Sequence, residues 1–215
     1  MNMPIICDME WNDSFMTLFR NAVERFHERP QTPVDRFFLP DECSILADIG
    51  YKPAEMHAYI QDYATKGDPS PSTILLIAAT RRAFFITSQR GIFGNAKPVK
   101  EEDLPAENDA FQEILYLPRM IRKAEAKLHG TLDENVMYYC EKDREFLRKH
   151  GNIHPADFLQ MTWAAHGDKQ KMVSSVLNAI HAQQPANAPD QRNKTPNPAE
   201  QQAASSPIQS ELKLD

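Results

Sequence analysis

Apolar residues recur three and four apart along most of this chain, and proline or glycine punctuates the pattern. Phe15, Leu18, Phe19, Ala22, Val23 and Phe26 make one stripe, the spacing of a helix that buries a single face. That helix is expected over 13–28. Asp13 or Ser14 can cap it by accepting an orphan backbone N–H, and "RPQTP" (29–33) ends it, because proline has no N–H and restrains the residue before it. A short helix follows over 37–50, with Pro40 suited to its first turn and Gly50 to a left-handed end. Residues 52–67 repeat the plan between Pro53 and Gly67, with Met56, Tyr59, Ile60 and Tyr63 on one side. The most apolar segment, 68–91, reads as a buried helix capped at Ser70 or Ser72. Its β-branched content leaves a strand hairpin as the alternative.

The pattern fades between residues 91 and 116. "KEEDLP" and "AENDA" are acidic and rich in turn-formers. A connection of that length is either a linker or functional, and a lobe boundary is placed there. Periodicity returns in "YLPRMIRKAEAKLHG" (116–130) and "EKDREFLRKHG" (141–151). It continues in 152–167, between Pro155 and Gly167, and in 168–184, where Asp168 caps a stripe of Met172, Val173, Val176, Leu177 and Ile180. No strand-like alternation of any length is found. From Pro185 the residues are mainly Pro, Gln, Asn, Ala and Ser, too polar to offset the entropy of ordering them. The expected architecture is all-α, with seven to eight short helices in two packed lobes and a disordered C-terminal tail. The divisions are an N-terminal helical lobe at 12–91, an acidic connector at 92–116, a C-terminal helical lobe at 117–184 and the tail at 185–215.

Composition narrows the function classes. The chain has 215 residues and a formal net charge of −6, which argues against broad nucleic-acid binding, since that needs a basic face. Cys7, Cys43 and Cys140 are odd in number and lack CxxC spacing, as expected of reduced thiols in a cytoplasmic protein. The start, "MNMPIICDMEW", has no basic region followed by a long apolar run. The longest apolar run, "ILLIAA", is far short of the ~20 residues a membrane span needs. A soluble, cytoplasmic protein without a membrane partner is expected. No Gly-rich phosphate loop, GxSxG elbow or dinucleotide fingerprint occurs, so no cofactor is expected. His150 and His154 stand four apart, but Gly151 and Pro155 break the helix that would align them, so no metal is expected either.

Candidate chemistry concentrates in residues 116–147. Leu117, Met120, Ile121, Ala124 and Leu128 occupy one face of a helix that Pro118 opens and Gly130 closes. Arg119, Arg122, Lys123 and Lys127 lie mostly on another face. Solvated, that face is ordinary; as a site, its guanidinium forks suit carboxylates and phosphates. It could also pair internally with Glu101, Glu102 or Asp103 of the connector. Cys140 stands at the start of the next helix, where unpaired N–H groups favour a thiolate, although Glu141 and Asp143 oppose ionisation. His129, His150 and His154 are candidate bases by number alone. Arg81 and Arg82 lie among apolar neighbours, so at least one guanidinium should enter the core and require a carboxylate from Asp62, Asp48 or Asp35. It would form a structural ion pair there, or line a cleft between the lobes.

The segments "LPRMIRKAEAKLHGTL", "YYCEKDREFL" and "NIHPADFL" resemble the signature of an uncharacterised bacterial domain family. Its members carry a Leu-Pro-Arg turn, a Lys-Ala-x-Ala-x-Leu-x-Gly helix and a Cys-x-x-Asp-x-x-Phe-Leu element. Leu117, Pro118, Arg119, Lys123, Ala124, Ala126, Leu128, Gly130, Cys140, Asp143, Phe146 and Leu147 fit it, over a match from about 103 to 180. "FFLPDECSILADIG" and "ILLIAATRRAFF" are similar to a longer version with an extra N-terminal helical region, so the likeness covers most of 12–182. "CEKD" departs from the proline that often follows the cysteine, and "TLDENVMYY" is longer than the usual Gly-Glu-Tyr turn. The resemblance implies a fold and a lineage, without an activity.

The expected function is a non-catalytic module that binds a protein partner or a small anionic ligand through its basic helix. The expected site is a cleft with Arg119, Arg122 and Lys123 on one wall and Tyr139, Cys140 and Asp143 on the other. The alternative is an enzyme or redox sensor using the Cys140 thiol.

Overall fold

The computed structural model describes residues 8–183, with side chains over 11–182. The tail expected to be disordered from residue 185 and the thiol of Cys7 lie outside the described residues. Those residues form nine α-helices, a 3₁₀ turn and one small hairpin, so the fold is all-α. The helices are α1 (Asp8–Glu28), α2 (Val34–Phe37), α3 (Pro40–Asp48), α4 (Pro53–Lys66), α5 (Pro71–Thr87), α6 (Leu117–His129), α7 (Glu141–Lys149), α8 (Pro155–Ala165) and α9 (Lys169–Gln183). The four-residue α2 brings the count above the seven or eight expected.

Proline marks the first turn of α3, α4, α5 and α8 and the second residue of α6, where a missing N–H costs nothing. The α5 segment is a helix and not a hairpin. Ser70 starts it, its Oγ accepting the Thr73 N–H at 3.2 Å. Ile74, Ile77, Ala78, Phe84 and Phe85 are buried along its length, which suits a helix covered on several sides. It packs on α1, α6 and α8. The apolar stripe of α1 faces the same interior, with Phe15, Leu18, Phe19, Ala22 and Phe26 buried. One core therefore runs from Phe15 to Val176, and the two lobes expected on either side of 92–116 share it through α5. On α9, Met172, Val173 and Val176 are buried but Leu177 is 39% exposed; the buried stripe is narrower than the sequence spacing implied.

The connector holds more order than its polarity suggested. Val99 bonds in parallel with the segment after α6: its N–H donates to the Thr131 carbonyl at 2.7 Å, and its own carbonyl accepts from Asp133 N at 3.0 Å. Further on, β1 (Ala110–Phe111) and β2 (Ile114–Leu115) pair antiparallel, with Ala110 opposite Leu115 and Phe111 opposite Ile114. The two-residue turn between them has positive φ at Gln112 and Glu113. Such primed turns usually announce themselves with Asn-Gly or Asp-Gly, which is why the sequence concealed this one.

Candidate functional site

Helix α6 is covered on two sides. Its apolar stripe (Leu117, Met120, Ile121, Ala124, Leu128) is buried as expected. Arg119, Lys123 and Lys127 are buried as well, which overturns the expectation of a basic face presented to solvent. Spaced by four, they share one face. The connector, the start of α7 and α4 close over that face, and each supplies an acid. Arg119 pairs with Glu101 of the connector and donates from NH1 to the Pro105 carbonyl at 2.9 Å. Lys123 is clamped by Asp143. Lys127 lies 3.7 Å from Glu55 and 3.8 Å from the centre of the Tyr51 ring. A buried cation without an opposite charge would be very costly, so these pairings follow from the burial itself. Arg122 stays at the surface beside Glu125, at 3.8 Å. Of the expected internal partners of Arg119, the structure selects Glu101.

Asp143 is the centre of the arrangement. Its carboxylate is fully buried and accepts four donors: the Tyr116 hydroxyl at 2.9 Å on Oδ1, and on Oδ2 the Lys123 ammonium, the Tyr139 N–H at 2.7 Å and the Cys140 N–H at 3.1 Å. Two of those donors come from residues with left-handed backbone, Tyr116 at φ 71° and Tyr139 at φ 68°. Non-glycine residues hold that conformation only where the surroundings over-determine it. Burial, reinforced by Asp143, raises the Tyr116 phenol well above its ordinary pKa, so it remains a proton donor.

Cys140 caps α7 and is partly exposed. Its Sγ lies 3.4 Å from the Lys123 Nζ. Lys123, Tyr139, Cys140 and Asp143 of the expected site are thus brought together, joined by Tyr116, which the sequence reading missed. Arg119 meets the cluster's edge through Tyr116, and Arg122 lies outside it. Tyr139 contributes its N–H and its carbonyl, which accepts Arg144 Nε at 3.1 Å. The other side of Tyr116 lines a surface groove of about 500 Å³, with Leu115, Phe146, Lys142, Lys149 and His150 around it.

The histidines take other work. His150 Nδ1 lies 2.8 Å from the Phe146 carbonyl, and His154 caps α8 by accepting the Ala156 N–H at 3.2 Å. His129 stacks edge-on against Phe84. No group of three or more His, Cys, Asp or Glu side chains placed to hold a metal occurs among the described residues. None of the described helices is long and apolar enough to cross a membrane. Comparison with protein-family models, with curated proteins and with solved structures finds no match.

Proposed function

We propose that this chain works through Cys140, as a helical protein whose partly exposed thiol reacts as a nucleophile. The observation that carries the reading is the fixed ammonium beside the sulfur, with Lys123 Nζ 3.4 Å from Sγ. A cation at that distance stabilises negative charge that develops beside it during reaction. The carboxylate of Asp143 pins that ammonium. Its charge is already engaged by four donors, and it holds the ammonium where the sulfur needs it. Binding of a partner or anion through the basic helix, the other expectation, requires cations with free donors. On α6 three of the four are buried, and each of those already faces a carboxylate.

Alkylation rates test the reading. With iodoacetamide at neutral pH, Cys140 is expected to label at least about tenfold faster than Cys43 in the same folded chain. Lys123→Met should slow Cys140 by a similar factor and leave Cys43 unchanged, so that Cys43 serves as an internal check on unfolding. Equal, slow labelling of the two cysteines would remove the thiol reading.

A further inference from the structure

Among the described residues Arg81 has no carboxylate in ion-pair contact; the acid that acts on it, Glu55, does so from beyond that distance and also serves Lys127. The residue is 0% exposed, yet Asp62 is taken by Arg144 at 2.6 Å, and Asp35 stands at the surface beside Arg36. Its one side-chain hydrogen bond goes from NH1 to the amide oxygen of Gln89, at 2.7 Å. Nε and NH2 have no partner among the described residues. The Phe85 ring covers one face of the guanidinium, 5.1 Å from its carbon. Gly50 and Gly130 press on its end: a Cβ at those positions would lie 2.9 Å and 2.5 Å from NH2. Leaving donors of a charged group unpaired inside a core costs far more than an ordinary lost hydrogen bond. The core has built a close-fitting slot for a fork of N–H groups and has left that fork underused.

Gln89 explains where the fork leads. Its side chain is only partly buried, and its Nε2 donates to the His129 carbonyl at 3.2 Å. It lines a surface pocket of about 180 Å³ together with Lys97, Arg122, Glu125 and His129. The pocket therefore offers two cations against one acid, and the buried guanidinium stands directly behind the amide.

We propose that Arg81 is the buried anchor of a small-oxyanion site, closed in this structure by the Gln89 side chain and entered through the pocket at Lys97 and Arg122. The ligand class is a phosphate or carboxylate small enough for that pocket. Its oxygens replace the Gln89 amide oxygen on the guanidinium and give a full opposite charge where a neutral dipole now sits. The Gln89 amide swings outward and exchanges its bond to His129 for water. This site shares no residue with the Asp143 cluster and stands or falls independently of the thiol.

The experiment is thermal unfolding of the full chain in inorganic phosphate and, separately, in acetate, with chloride at matched ionic strength as the control. At about tenfold excess over Kd, at least one of the two anions should raise Tm by about 3 °C beyond chloride. Gln89→Ala, which removes the plug, should bring the same response at lower anion concentration. Gln89→Glu, which offers the guanidinium an internal carboxylate, should abolish it. A response to phosphate alone or to acetate alone assigns the class. The proposal is overturned if neither anion exceeds chloride in both the natural chain and Gln89→Ala, or if the response persists undiminished in Gln89→Glu.

Discussion

Lys127 shows at the scale of one residue how the basic helix is spent. It is 1% exposed, between the Tyr51 and Tyr59 rings and the Glu55 carboxylate. Burial, only partly offset by Glu55, lowers its pKa to about 8. The unfolded chain keeps that proton up to an ordinary lysine value, about 10.4. Between those values the unfolded state binds more protons, so stability rises with pH; below 8 the full cost of burying the charge is felt. Urea unfolding at pH 8 and pH 10 should show the natural chain gaining roughly 2 kcal/mol over that interval relative to Lys127→Met, from the size of the shift. Beyond pH about 10 the trend should reverse. Burial raises the phenol pKa values of Tyr51, Tyr59 and Tyr138, so the unfolded chain sheds those protons first. A gain that survives in Lys127→Met would place the titrating group elsewhere. The residue types were legible in the sequence; the partner of Lys127 was not. Lys127 meets Glu55 only after α4 and α6, far apart in the chain, have packed, and spacing says nothing about which second surface will cover a polar face; Lys123 and Asp143, on successive helices, were expected to face each other.

Helix ends were the most legible elements. Pro at the start and Gly at the end of α4 and α6 located both helices to within a residue, because those two residues act through local backbone geometry. Two of these glycines separate backbone from packing. Gly67 (φ 71°) has nothing near the place a Cβ would occupy, whereas at Gly130 (φ 67°) that atom would lie 2.5 Å from Arg81 NH2. Arg81 is fully buried between Gly130, Gly50 and the Phe85 ring. Gly67→Ala should cost about 1 kcal/mol, the left-handed penalty alone. Gly130→Ala should cost about 2–4 kcal/mol, the same penalty plus a core distortion, measured by urea unfolding. Equal costs would mean that Arg81 does not need the space. The hairpin at 110–115 was hidden for the converse reason: its turn residues, Gln112 and Glu113, carry no local signal for the conformation they adopt, and the burial of Ile114 and the packing of β1 on α6 hold it.

Across the whole molecule, the all-α class was readable from periodicity, while the way the halves meet was not. A loop of low periodicity at 92–116 looked like a boundary, yet α5 joins one core that includes residues from α1 to α9. One core implies one cooperative transition. Trp11, packed on Phe15, and Trp163, packed on Phe84, report from the two halves. Trp11→Phe and Trp163→Phe variants, each leaving one indole, should give coincident urea profiles by fluorescence, matching the circular dichroism curve; separated midpoints would mean that the halves unfold independently. The central claim is that α6 turns its cations inward and holds Lys123 against Asp143 and Cys140. The direct measurement is acylation of lysine side chains in the folded chain, mapped by mass spectrometry. Lys123 and Lys127 should be strongly protected while Lys142 and Lys149 on α7 modify freely. Modification of Lys123 as fast as Lys142 would contradict the account.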